Sequence, residues 1–106
     1  MIFLVVTGIS MFAFVRRLNE TDFQKLERRA FAGDVAAQKE LADAYLLGKG
    51  VPVNRVCSYA WHCIIQVKDP KHYAIGGLIR ATELYPAAVQ QEGERLAAEL
   101  WGKIKR

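Results

Sequence analysis

The sequence predicts an all-α domain of antiparallel helical hairpins, solenoid-like in arrangement, with an apolar helix at its N-terminus. Three observations predict it. Residues 33–53 hold a helix marked at both ends: Gly33 suits the left-handed turn that closes a preceding helix, and Asp34 suits an N-cap. Gly48, Gly50 and Pro52 then stop it. Inside that unit Ala37, Leu41, Ala44 and Tyr45 recur at helical spacing, and small side chains on the stripe let a neighbour sit close. The stretches on either side keep the same helical spacing of apolar residues.

Residues 2–15 carry no charge and are followed at once by Arg16 and Arg17. As a helix they span roughly 21 Å, and roughly 26 Å if the run extends to Leu18 with the arginines snorkelling. That is marginal against a hydrocarbon core of roughly 30 Å. A secretory signal needs a basic region before the apolar run and a small-residue cleavage site after it; neither stands here. The first expectation is a short membrane anchor over residues 1–18. A core or interface element, or an upstream stretch read through from an early start codon, are the alternatives. As an anchor, the cluster Arg16, Arg17, Lys25, Arg28 and Arg29 places residues 19–106 on the cytoplasmic side.

In residues 19–106, Thr21 and Gln24 have capping-box spacing, and Phe23, Leu26, Ala30 and Phe31 form the stripe of a first helix ended by Gly33. Asn54 is the expected N-cap of a helix over about 55–67, with Val56, Tyr59, Ala60, Cys63, Ile64 and Val67 on its apolar face. Asp69-Pro70 predicts a further start, for a helix over about 70–84 that Gly76 and Gly77 weaken. Tyr85-Pro86 opens the last helix, about 86–104, with Val89, Gly93, Leu96, Ala97, Leu100 and Ile104 at helical spacing.

Residues 30–61 resemble one unit of the Sel-one-like repeat, a relative of the tetratricopeptide repeat. The family's Ala, Gly-Asp, Ala-Gln, Leu-Ala, Tyr and Gly-x-Gly-Val fall on Ala30, Gly33-Asp34, Ala37-Gln38, Leu41-Ala42, Tyr45 and residues 48–51. Its second helix asks for an Asp cap, then Ala, then Trp, and meets Asn54, Ser58 and Trp61. Ile65 and Gln66 replace the family's paired alanines, a departure at the surface that would meet a following repeat. The tail is similar to the closing segment of many bacterial members, with Leu84-Tyr85-Pro86 and then residues 95–101, although Tyr85 replaces the usual capping Thr. The resemblance implies a protein-binding module whose groove is lined by the first helix of each unit. On it, Gln38, Asp43, Tyr45, Leu46 and Trp61 are the candidate partner-binding residues.

The remaining chemistry points away from catalysis. The 106 residues are 52% hydrophobic and 25% charged with a net charge of +4, a globular composition with basic and acidic residues interspersed. No nucleic-acid footprint is expected from that balance. Gly48-Lys49-Gly50 lacks phosphate-loop spacing and follows a helix rather than a strand. Cys57, His62 and Cys63 miss the i, i+4 spacing of ligands on one helix, and His72 joins them only if the next segment folds back, so no metal is expected, and the residues are read as buried cysteines and a partly exposed histidine. The two cysteines, roughly 9 Å apart on one helix, are too distant for a disulfide, and two free thiols fit a reducing compartment. Ser58 and His62 are spaced to share a hydrogen bond, but no orienting acid accompanies them. Tyr45, Tyr59 and Trp61 are read first as core packing.

The expected function is therefore non-enzymatic: an adaptor or small accessory subunit that binds another protein, with no catalytic residue, cofactor or small-molecule substrate, tethered to a membrane through residues 1–18. The alternative function is a structural subunit whose first helix packs against transmembrane partners. The alternative location is soluble and cytoplasmic.

Overall fold

The structure, a computed structural model, describes residues 20–72 and 83–105. They form α1 (Asp22–Phe31), α2 (Val35–Leu47), α3 (Arg55–Lys68) and α4 (Ala87–Trp101), and there is no strand among the described residues. The apolar segment 1–18 and the Gly76-Gly77 pair lie outside the described residues. Where a helix was expected to begin at Pro70, residues 70–72 instead form a turn, closed by His72 N–H donating to Asp69 O at 3.0 Å. Residues 83 and 84 are helical.

Local chemistry sets the helix ends where the sequence marks them. At α1 the Thr21 hydroxyl accepts from Gln24 N–H at 3.1 Å, and the Gln24 side chain accepts from Thr21 N–H at 3.0 Å, a complete capping box. The helix closes with Gly33 at φ 97°, its N–H on Ala30 O at 3.1 Å and the Asp34 N–H on Arg29 O at 3.2 Å. These two bonds are the paired closure of a Schellman turn, which needs a residue able to take positive φ. Asp34 then caps α2 by accepting from Ala37 N–H at 3.3 Å, and Asn54 caps α3 by accepting from Cys57 N–H at 3.0 Å. At α4 the N-cap is Pro86, which offers no side-chain acceptor. The Gln90 side-chain amide donates back to Tyr85 O at 2.7 Å, which ties the helix to the segment before it but caps none of its first N–H groups.

Consecutive helices pack on one another: α1 on α2, α2 on α3, and α3 on α4. Phe23, near the start of α1, meets Tyr45, near the end of α2, edge to face at 5.5 Å, so these two run antiparallel. Lys39 in the first half of α2 pairs with Asp69 beyond the end of α3 at 3.1 Å, which sets the same opposition there. The core gathers Ala30, Ala37, Leu41, Ala42, Trp61, Ile64, Ile65 and Ile104. Ile104 arrives from a tail that returns to α1, where Lys105 N–H donates to Phe31 O at 2.9 Å.

Helix α2 is buried on two sides rather than along one stripe. Ala37 and Leu41 are fully buried as expected, but so are Gln38, turned to α1, and Ala42, turned to α3. The buried face of α3 also differs from the apolar count. It includes Ser58, Trp61, His62 and Ile65, whereas Val67 is 63% exposed and Cys63 half-buried. Polar Ser58 and His62 sit inside because each finds an internal partner, which an apolar pattern cannot register.

Helix α4 approaches α3 closely at Gly93. A Cβ there would stand 2.6 Å from Tyr59 Cδ1, 3.2 Å from Tyr59 Cβ and 3.2 Å from the Val56 carbonyl oxygen. Gly93→Ala gains about 1 kcal/mol of helix propensity. Against that, forcing two helices apart costs about 1–3 kcal/mol. The variant is expected to be less stable by about 1 kcal/mol net, read as a lower urea midpoint; an alanine variant more stable than the parent would disprove the close approach.

Candidate functional site

Two places on the described residues concentrate chemistry: a polar cluster under α3 and a groove between α1 and α2. In the cluster, Ser58 is fully buried and its hydroxyl donates to Ala42 O at 2.8 Å. Its oxygen is 2.7 Å from the Tyr85 hydroxyl, and since the serine proton is already placed, Tyr85 is the donor. Tyr85 is itself 2% exposed, with its ring 5.3 Å from that of Tyr59 and 5.9 Å from that of His62. Burial pushes the Tyr85 phenol above its ordinary 10.0, which keeps the donating proton in place. The serine is therefore a bridge between α2, α3 and the segment leading into α4, and not a partner for His62.

His62 turns instead to the residue that the 69–72 turn brings back over it. Its Nδ1 lies 2.6 Å from His72 Nε2, and the two rings stack with centroids 4.9 Å apart. One proton lies between those nitrogens, so one ring donates and the other accepts. Burial, joined by the nearby His72, lowers the His62 pKa to about 4, so this ring is neutral at pH 7. The structure thus folds His72 back as a metal site would require, but leaves Cys57 and Cys63 out. Among the described residues no three His, Cys, Asp or Glu side chains are grouped to hold a metal ion. Burial raises both thiols above their ordinary 9.0, so neither is an activated nucleophile at neutral pH. The sequence reading expected buried cysteines and a partly exposed histidine; the structure has half-buried cysteines and a buried His62.

The groove has a volume of about 700 Å³. Phe23 and Leu26 from α1 and Ala44 from α2 give it an apolar floor. Lys25 and Arg29 stand on its α1 wall, and Glu40 and Asp43 on its α2 wall. At the end nearest the α2–α3 turn the signs reverse, with Asp22 on the first wall and Lys49 beside the second. Arg29 shares its charge with Asp34 at 2.8 Å. Lys25, Glu40, Asp43 and Lys49 have no ion-pair partner among the described residues.

The five residues singled out from the sequence separate here. Asp43 is exposed on the groove wall, and Tyr45 is half-buried behind the floor, braced on Phe23. Leu46 is half-buried and does not line the groove. Gln38 and Trp61 are packed within the chain. Gln38 is 1% exposed with its amide donating to Ala30 O at 3.0 Å, and Trp61 is 2% exposed against Phe31 at 5.2 Å. Sequence reasoning missed the basic wall, because Lys25 and Arg29 look like ordinary solvated charges until α2 is placed beside them. It missed the Tyr85–Ser58 bridge for want of any local signal.

No protein-family model, no curated protein and no solved structure matches this chain. Among the described residues no helix is long and apolar enough to cross a membrane.

Proposed function

We propose that this chain is a non-enzymatic protein-interaction module, an adaptor or small accessory subunit, built as a Sel-one-like helical hairpin with flanking helices. The groove between α1 and α2 carries the reading. It combines an apolar floor with charged walls on which Lys25, Glu40 and Asp43 have no ion-pair partner among the described residues, while the Ser58 hydroxyl is held by Ala42 O and Tyr85, and His62 Nδ1 by His72. Preformed apolar surface with a charged rim is the make-up of a recognition site for another polypeptide. The agreement of residues 30–61 with the repeat pattern supports the same reading. So does the order of packing, in which each helix lies on the next.

A photo-reactive residue placed at Lys25 or at Asp43 in the tagged full-length chain tests it in cells. Both positions are expected to yield the same discrete cross-linked protein, and Glu94, exposed on α4, is expected not to. Equal products from all three positions, or none from the groove, would remove the assignment.

We further propose that residues 1–18 tether the domain to a membrane with the helices on its cytoplasmic side. The uncharged run 2–15 followed by Arg16 and Arg17 supports this. Full-length chain is expected to sediment with membranes, and residues 19–106 alone to stay in the supernatant. A full-length chain found wholly in the supernatant would end the tether.

A further inference from the structure

The geometry points to an amphipathic helix as the groove's occupant, with an apolar stripe flanked by acidic side chains on one edge and basic side chains on the other. This rests on the protein-binding reading and specifies the partner's chemistry. The first observation is the separation of charge. Away from the end where Asp22 and Lys49 reverse the signs, Lys25 and Arg29, the latter shared with Asp34, lie on one wall and Glu40 and Asp43 on the other, with no ion pair joining the walls among the described residues. Opposite charges left facing a common channel lose solvation when it is filled, unless the occupant supplies a counter-charge to each wall. An occupant with like charges on both edges satisfies one wall and repels the other. The same argument disfavours the chain's own residues 2–15, which have no charge to offer either wall. It also disfavours α4 of a second copy. The outward charges of that helix are Glu92, Glu94, Arg95 and Glu99, three acids to one base, and Arg95 is already paired with Glu92 at 2.6 Å.

The second observation is shape. Two antiparallel helices meet along the groove, and Lys25, Leu26 and Arg29 on one side oppose Glu40, Asp43 and Ala44 on the other. Both sets repeat at three and four residues, the spacing of ridges into which a third helix packs. The described residues offer no sheet edge for an added strand.

Fluorescence anisotropy with the full-length chain and three labelled peptides tests the inference. Each peptide is helical, about 18 residues long, and carries the same leucine stripe. One has Glu on one flank and Lys on the other; the second has Glu on both; the third has Lys on both. Swapping the two flanks of the mixed peptide is no test, because a helix turned end for end presents them in the other order. The mixed peptide is expected to bind about tenfold tighter than either uniform one, with the gap narrowing as salt rises. Lys25→Glu with Arg29→Glu makes both walls acidic, and the all-Lys peptide should then become the preferred ligand. A gain of that kind cannot come from misfolding. Equal binding of the three peptides, an unchanged preference in the double variant, or no binding at all would overturn the proposal. So would affinity that weakens as chain concentration rises, since a second copy would then hold the groove. If the peptides fail while the groove cross-links persist, the partner's chemistry is wrong and the protein-binding reading stands; if both fail, both go.

Discussion

Trp61→Ala is expected to destabilise the fold by about 3–5 kcal/mol, the cost of truncating a buried aromatic that its surroundings cannot collapse to replace. The indole is 2% exposed and belongs to the core with Leu41, Ile64 and Ile65, and Phe31 from α1 meets its face edge-on at 5.2 Å. It therefore links α3 to α1 across α2, and its loss opens a void where three helices converge. A small helical domain has only a few such anchors, so this one substitution removes a large share of the total stability. Urea unfolding read by circular dichroism checks it, with a lower midpoint and an unchanged slope as the expected pattern. Asp43→Ala supplies the contrast, because Asp43 is exposed on the groove wall and makes no ion pair among the described residues. That change is expected to stay within about 0.5 kcal/mol of the parent while altering peptide preference. If Trp61→Ala proved as mild as Asp43→Ala, the packing of α3 against α1 would be wrong.

What the sequence disclosed follows from how local each feature is. The Thr21 box, the Asp34 and Asn54 caps and the Gly33 closure all depend on residues within five positions, and each forms as its spacing predicts. The α3 helix runs one residue beyond its expected end, and α4 stops at Trp101 because residues 102–105 bend back toward α1. Features that depend on a distant partner stayed hidden. Gln38 reads as a surface polar residue until Ala30 O appears eight positions away, and His62 reads as half-exposed until His72 stacks on it. The groove is of the same kind. Its residues come from two helices, and only their pairing turns Lys25 and Arg29 into a wall facing Glu40 and Asp43.

Acidification is expected to weaken the fold between pH 6.5 and about pH 4, by roughly 3 kcal/mol from His62 alone, the main cause. In the unfolded chain this imidazole titrates at its ordinary 6.5; in the fold, burial and then His72 lower its pKa to about 4. Between those values the unfolded chain binds a proton that the folded chain refuses, so stability is complete above 6.5 and declines as pH falls toward 4. His72 adds to the loss in the same direction. Burial and the positive charge of Lys39 lower its pKa, outweighing the opposing pull of Asp69 and Asp43. Asp34 and Asp69 act in a separate window. Their hydrogen bonds to Arg29 and Lys39 hold both carboxyls below 3.8, so what they contribute is lost only in stronger acid. The contact itself explains why full protonation of the pair breaks it: with both rings charged, two N–H groups would face each other across 2.6 Å. Urea midpoints at successive pH values measure the decline, and the His62 ring proton followed by NMR gives the titration directly. His62→Leu removes the group and should flatten most of the slope, whatever it does to stability at pH 7. A His62 midpoint near 6.5, or a leucine variant as acid-sensitive as the parent, would show that the ring is solvated and that the 69–72 turn does not close over it.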